Sequence, residues 1–192
     1  MKMPSPGTLL GGFIAATTGV LIFLVVQNST VDKHGVPHLL TAPPAAAECT
    51  KDTIDCKPKL TFIDTNGEAY PPDALQDKIL VVNFWATWCN PCQHEIPALS
   101  RVYTKFKDKG VVMLGVMTDD PDAQKLLNFE SDHELLYPVV RADNEIYNHF
   151  ERPDAIPTTF IYDRHGNLRH NRPGAIDEAE LTAELTQLLA EK

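Results

Sequence analysis

No cluster of lysines or arginines occurs in this 192-residue chain, whose formal net charge is −9 at pH 7. It therefore lacks the concentrated positive charge that a nucleic acid or an anionic headgroup would require, which argues against both as partners. Charge of either sign is missing from Thr8–Val26 (TLLGGFIAATTGVLIFLVV), and Asp32 is the one acidic residue before Glu48. Internal repeats and low-complexity tracts are absent as well. What 192 residues, 43% of them hydrophobic, then support is one folded domain behind a leader.

At ~1.5 Å per residue the uncharged run comes close to a ~30 Å hydrocarbon core and reads as a signal-anchor over residues 8–26. Lys2 and the amino terminus precede it, so residues 1–7 are expected in the cytoplasm and the remainder outside it. A cleaved signal peptide is the rival reading, and it too exports the domain. Its AxA-like site, Ala45-Ala46-Ala47, stands roughly twenty residues past the apolar run, too far for ordinary cleavage. Gln27–Ala47 lacks periodicity and contains Pro37, Pro43 and Pro44. It reads as a flexible tether that continues past Cys49 and Cys56 to residue 58, with the folded domain over 59–192.

From Lys59 onward, short apolar runs alternate with amphipathic segments, the pattern of an α/β sandwich on one central sheet. Leu60–Asp64 predicts a strand and Asn66-Gly67 a tight turn after it. Ile79–Ala86 (ILVVNFWA) and Val111–Met117 (VVMLGVM) are nearly continuous apolar runs, as strands covered on both faces should be. Between them, Ile96, Leu99, Tyr103 and Phe106 are spaced for the buried face of a helix over Cys89–Lys107. A helix is predicted over Pro121–Phe129, capped by Asp119 or Asp120 with Pro121 in its first turn. A short strand at Pro138–Arg141 and a short helix at Glu145–Phe150 complete that crossover. Thr158–Tyr162 and Leu168–Asn171 predict a hairpin about Arg164–Asn167. The closing helix begins at Glu178, with Asp177 as cap, Glu180 three positions on, and Leu181, Leu185 and Leu188 facing inward.

The chemistry concentrates in TWCNPCQHE, Thr87–Glu95. Haem attachment through CxxCH fails because Gln93 follows Cys92. Zinc wants four ligands, commonly in two close pairs; Cys49 and Cys56 are too widely spaced, and His94 should face solvent near the helix start, so no metal site is expected. A working dithiol explains more. Cys89 follows a covered strand and opens a helix, where unpaired amides and the helix dipole stabilise a thiolate, which makes it the nucleophile. Cys92, one turn inside, is the resolving thiol, and Pro91 fits a first-turn position that needs no amide hydrogen bond. An inert disulfide is the alternative; the strand before and helix after favour redox work, which needs no cofactor.

The longer stretch VVNFWATWCNPCQHEIP, Val81–Pro97, resembles the active site of the thioredoxin superfamily, most closely its membrane-anchored extracytoplasmic branch of TlpA, ResA and DsbE/CcmG proteins. VVMLGVMTDD and AIPTTFIYDRHGNL fall where that branch has them, so the resemblance spans Lys59–Lys192. It implies a thioredoxin-like α/β fold: a central mixed sheet flanked by helices, an N-terminal β-hairpin extension, and a helix and strand inserted in the central crossover. By the same resemblance, Trp88 would cover the dithiol, with Phe84 and Trp85 packed beneath and beside it. Pro97 matches a proline that kinks the active-site helix, where a chance mid-helix proline would cost ~3 kcal/mol. Pro157, which the residues alone mark only as a strand-entry proline, matches a cis-proline facing the dithiol, with the backbone of Ile156 free to pair with a bound peptide.

Thioredoxins commonly bury an aspartate six positions before the first cysteine, and here that position is Asn83, which takes no proton. Glu95, three residues after Cys92 and on nearly the same helical face, matches an acid/base glutamate of the ResA-like proteins. The resemblance assigns it proton exchange with Cys92 through water, with a pKa raised by partial burial. The plainer reading is an acid favoured near a helix N-terminus. Arg152-Pro153-Asp154-Ala155 departs from the glycine-containing turn that often precedes the cis-proline. Cys49 and Cys56 have no counterpart; in an oxidising compartment they most simply form a local disulfide, the alternative being a second redox pair exchanging with Cys89.

The expected activity is therefore reduction of protein disulfides by a membrane-tethered domain on the extracytoplasmic side of the inner membrane. The resemblance suggests apocytochrome c haem-site cysteines or a copper-site protein as substrates, and a membrane reductant of the DsbD/CcdA type. A DsbA-like oxidase is the nearest rival, and a dithiol copper-binding module a more distant one. A peroxidase fits less well, because Val82 stands where the proline of a PxxxTxxC pattern would have to be.

Overall fold

The computed structural model describes residues 53–191 together with the backbone of 30–31 and 37–38. The chain divides into two compact units, Met1–Ala45 and Ala46–Lys192. In the first, β1 (Thr30–Val31) pairs antiparallel with β2 (Pro37–His38), inside the stretch that reads as a tether. The anchor expected over Thr8–Val26 and Cys49 lie outside the described residues. Among the described residues no helix is long and apolar enough to cross a membrane.

In the second unit, a hairpin of β3 (Phe62–Ile63) and β4 (Ala69–Tyr70) precedes a five-stranded sheet. Its strands are β5 (Ile79–Trp85), β6 (Val111–Met117), β7 (Val139–Arg141), β8 (Thr158–Tyr162) and β9 (Leu168–Pro173), in the order β7-β6-β5-β8-β9. β5, β6 and β7 are mutually parallel; β8 runs antiparallel to β5 and β9, giving the mixed sheet expected. The β3–β4 hairpin lies at the β7 edge, where Thr65 N–H donates to Val139 O at 2.8 Å. Four helices complete the unit: α1 (Asn90–Phe106), α2 (Ala123–Asp132), α3 (Asn144–His149) and α4 (Glu178–Ala190).

Every residue of β5 is buried, because both faces of the strand are covered. The period of two sends Ile79, Val81 and Trp85 into one layer with Ile96 and Leu99 of α1 and Leu181 and Leu185 of α4. Leu80, Val82 and Phe84 enter the opposite layer with Phe62, Ile146, Phe150 and Phe160. That alternation corrects the expectation for Phe84. Its ring meets Phe150 and Phe160 at centroid distances of 5.2 and 5.8 Å, in the layer away from the cysteines, and Trp85 alone of the pair shares their layer. On β6 the register partner of Asn83 is Gly115, where a Cβ would stand 2.7 Å from the Tyr137 ring and 2.8 Å from the Trp85 indole nitrogen. The close approach of those two rings needs a glycine there.

Beyond shifts of a few residues at strand and helix ends, two boundaries differ from the sequence reading for reasons visible in the bonding. α2 starts at Ala123, capped by Asp122, which accepts from Lys125 N–H at 2.9 Å. Neither Asp119 nor Asp120 is available as a cap: Asp119 is bonded to Thr87, and Asp120 pairs with Arg141. The folded unit also begins before Lys59. Leu168 N–H donates to Asp55 O at 2.8 Å, Lys57 N–H to Gly166 O at 2.7 Å, and the Tyr162 hydroxyl to Ile54 O at 2.9 Å, so residues 53–58 dock on the β8–β9 hairpin instead of continuing a tether.

Candidate active site

β5 delivers the chain to the site, and α1 starts there. Cys89 is the N-cap of α1, with extended backbone (φ −83°, ψ 102°), and its sulfur accepts from Cys92 N–H at 3.3 Å. Pro91 sits in the first turn, as its missing N–H allows. The Cys89 and Cys92 sulfurs are joined in this structure, and both residues are sealed, at 4% and 0% exposure. Trp88 beside them is 70% exposed and presents its indole to solvent. His94 is exposed, as expected, with its ring 2.7 Å from Asn90 O. Pro97 lies inside α1.

The Ile156-Pro157 peptide is cis, as the resemblance implies, and Ile156 O lies 3.8 Å from Cys89 Sγ. Gly174 N–H donates to Pro157 O at 2.8 Å, fixing this segment to the loop after β9. Before it, Glu151 and Arg152 take φ of 54° and 44°, a left-handed pair without glycine that costs strain. The Arg152 guanidinium stacks 3.8 Å over the Tyr147 ring, and a cleft of about 220 Å³ opens between Arg152–Ala155, Thr158 and Phe160. The departure from a glycine turn thus shapes the surface beside the cis-proline.

Glu95 is buried behind the cysteines, at 4% exposure. Its Oε1 accepts from Asn83 Nδ2 at 2.9 Å and its Oε2 from Ile176 N–H at 3.0 Å. Desolvation raises its pKa to about 7, and the two neutral donors recover only part of that cost. A carboxyl that titrates near neutrality one helical turn from Cys92 can take and return a proton under ordinary conditions. Asn83 Nδ2 also donates to Thr159 Oγ1 at 3.1 Å, so β5, β8, α1 and the loop before α4 converge on the Asn83–Glu95 pair.

Sequence reasoning takes Asp119 only as a candidate helix cap. Its carboxylate accepts from Thr87 N–H at 3.1 Å and from the Thr87 hydroxyl, and Gln93 Nε2 donates to Thr87 O at 2.6 Å. Together they fasten the loop that carries Trp88. The available signal was the polar Asp119-Asp120 pair directly after a central strand, at the same end of the sheet as the cysteines. Cys56 is buried and disulfide-bonded; Cys49, its expected partner, lies outside the described residues. Among the described residues no group of three histidine, cysteine or acidic side chains is arranged to hold a metal.

A sequence profile of the AhpC/TSA family matches residues 53–171. The chain belongs to the AhpC/TSA family. Within it, the chain is 30% identical over 111 residues to the thiol-disulfide oxidoreductase ResA of Bacillus thuringiensis (strain Al Hakam), covering 58% of this chain and 64% of that protein. It is 29% identical over 123 residues to ResA of Bacillus subtilis (strain 168), covering 64% and 68%. A thiol:disulfide interchange protein of the thioredoxin family from Chlorobium tepidum TLS superposes with a TM-score of 0.65 at 26% identity, over 76% of this chain and all of its own. A secreted Mycobacterium tuberculosis disulfide oxidoreductase homologous to E. coli DsbE gives a TM-score of 0.58 at 26% identity, over 67% of this chain and 96% of its own. These neighbours establish a thioredoxin-like fold for this AhpC/TSA member. The chain spans 64% of the length of the first of these relatives, and Cys89 and Cys92 fall within the residues that the family profile matches.

Proposed function

We propose that the protein is an extracytoplasmic thiol:disulfide oxidoreductase that reduces particular protein disulfides. The observation that carries the reading is Cys89 at a helix N-cap, 3.8 Å from the carbonyl that precedes cis-Pro157, with a buried Glu95 behind its partner cysteine. The Cys89 thiolate attacks a substrate disulfide, a Cys89–substrate mixed disulfide forms, and one substrate thiolate leaves. Cys92, having passed its proton to Glu95, then attacks Cys89; the Cys89–Cys92 disulfide forms and the second substrate thiolate departs. A membrane dithiol reductant of the DsbD/CcdA type restores the pair. The substrates are apocytochrome c haem-site cysteines or the cysteines of a copper-site protein. Thr8–Val26 holds the domain at the inner membrane, with residues 1–7 in the cytoplasm.

Cys92→Ala is the test, because it leaves the nucleophile and removes its resolver. The exported variant should accumulate mixed disulfides through Cys89, and these should vanish when Cys89 is also replaced by alanine. A reduced Cys92→Ala protein that traps nothing defeats the specific-reductase reading. A reduction potential of about −120 mV would make the domain an oxidase instead.

A further inference from the structure

Asn83 is fully buried, and its carboxamide is used unevenly. Nδ2 donates twice, to Glu95 Oε1 at 2.9 Å and Thr159 Oγ1 at 3.1 Å, while Oδ1 has no hydrogen-bond partner among the described residues. Sealed carbonyl oxygens without a donor are uncommon, because desolvation is then uncompensated. The sulfurs are joined here, so neither carries a hydrogen. Reduction by an external dithiol breaks the Cys89–Cys92 bond, oxidises that dithiol to a disulfide, and leaves two thiols in the domain. It thereby creates a donor in the interior, the S–H of Cys92, on a residue with 0% exposure. Cys92 and Glu95 are i and i+3 on α1, neighbours on one face, and Glu95 rests on Asn83.

We propose that Asn83 is a positioning residue that bridges Cys92 and Glu95 in the dithiol, with Oδ1 accepting the Cys92 thiol hydrogen while Nδ2 holds the Glu95 carboxylate. The inference rests on the redox cycle proposed above. One carboxamide then keeps Cys92 and Glu95 together, and the thiol hydrogen turns from Oδ1 to the carboxylate as it passes. In the release step the Cys92 proton passes to Glu95, the Cys92 sulfur bonds to Cys89, the bond from Cys89 to the bound sulfur breaks, and Glu95 protonates the departing thiolate. Once the proton has moved, a half-turn of the carboxamide matches the new pair: Nδ2 donates to the Cys92 thiolate and Oδ1 accepts from the Glu95 acid. The Thr159 hydroxyl, both donor and acceptor, suits either orientation. An aspartate at this place would add a second charge to a buried site, whereas the amide serves both protonation states without one.

The titratable groups about this bridge are Cys89, Cys92 and Glu95 from α1 and Tyr137, whose ring lies on the register partner of Asn83 and whose hydroxyl burial holds in the neutral form. β8 and the loop before α4 bring the Thr159 hydroxyl and the Ile176 amide. Treating the reduced protein with dithiobis(nitrobenzoate) separates the steps, since a first release of chromophore reports attack by Cys89 and a second reports resolution by Cys92. Asn83→Leu should slow the second phase relative to the first by roughly three- to tenfold, the scale of one hydrogen bond, and displace its pH midpoint. A second phase that slows without any displacement of that midpoint marks a merely structural role and overturns the proposal. Should the variant not fold, the Asn83 carboxamide NMR signals decide. They should differ between reduced wild type and reduced Cys92→Ala, and identical signals overturn the bridge. A wild-type dithiol with no second phase would overturn the redox reading itself, a failure distinct from either.

Discussion

Glu95 and Asp163 are each 4% exposed, yet their carboxyl groups shift in opposite directions. Desolvation raises Glu95 to about 7, because its partners are one side-chain amide and one backbone amide, both neutral. Desolvation pushes Asp163 upward too, but the backbone and side-chain amides of Asn167 and the guanidinium of Arg169 outweigh it and hold the group below its ordinary value. One oxygen of Asp163 accepts from His165 and Asn167 N–H at 2.9 Å each, and the other lies 3.2 Å from Arg169 Nη1. Burial is common to both sites; donor number and charge separate them. Asp163 is built to stay ionised in a hairpin turn, whereas Glu95, with neutral donors alone, changes charge near neutrality as the proposed proton exchange requires.

The largest effect should come from removing the saturated carboxylate. Asp163→Ala strips two backbone amides of their acceptor and leaves Arg169 with Glu191 alone, and should cost about 4 kcal/mol in urea unfolding of the oxidised protein, with the thiol chemistry of Cys89 retained. Glu95→Gln should act the other way. A carboxyl raised from 4.5 to about 7 on folding binds its proton more tightly in the folded state. Its contribution is complete below the unfolded value and is lost as pH rises through about 7. The wild type should therefore weaken across that window, and Glu95→Gln should be more stable by roughly 3 kcal/mol near pH ~8 and indistinguishable near pH ~4. Asp163 gives the opposite slope, losing its contribution as pH falls below 3.8 through its lower folded value. Parallel stability profiles for the two variants would remove the distinction between the sites.

The sequence carried the sheet and the redox pair because both rest on local pattern. The apolar runs marked β5 and β6 at their observed starts, and the strand-CxxC-helix order placed Cys89 at a helix N-cap. Glu95 and Asn83 could be singled out by position, but not their bond, which joins a strand to a helix across 12 residues of sequence. Asp119 was lost to a rival reading, since an aspartate before a proline also looks like a helix cap, and only the fold brings Thr87 to it. Docking of residues 53–58 on the β8–β9 hairpin was illegible for a related reason: backbone bonds to Gly166 and Leu168, more than a hundred residues on, leave no periodicity in the segment that makes them.

Asp119 adds a third carboxylate on which the comparison can be sharpened, half-buried where the other two are sealed. It accepts from Thr87 N–H at 3.1 Å and from the Thr87 hydroxyl, at a place where water can reach the groups left behind. Asp119→Ala should therefore cost only about 1 kcal/mol in stability, the smallest of the three changes. Its kinetic effect should fall on the loop instead: with Thr87 released, the backbone leading to Cys89 is held by Gln93 through Thr87 O at 2.6 Å and by Cys89 N–H to Ala86 O at 3.1 Å. Alkylation of the reduced protein by iodoacetamide, followed against pH, should show Cys89 reacting a few-fold differently from wild type, because the N-cap geometry that favours its thiolate is loosened. Asp119→Asn, which keeps an acceptor for Thr87, should restore most of that difference. A loss of stability as large as that of Asp163→Ala would mean that exposure does not rank these carboxylates, and that the Thr87 loop is as integral to the fold as the β8–β9 turn.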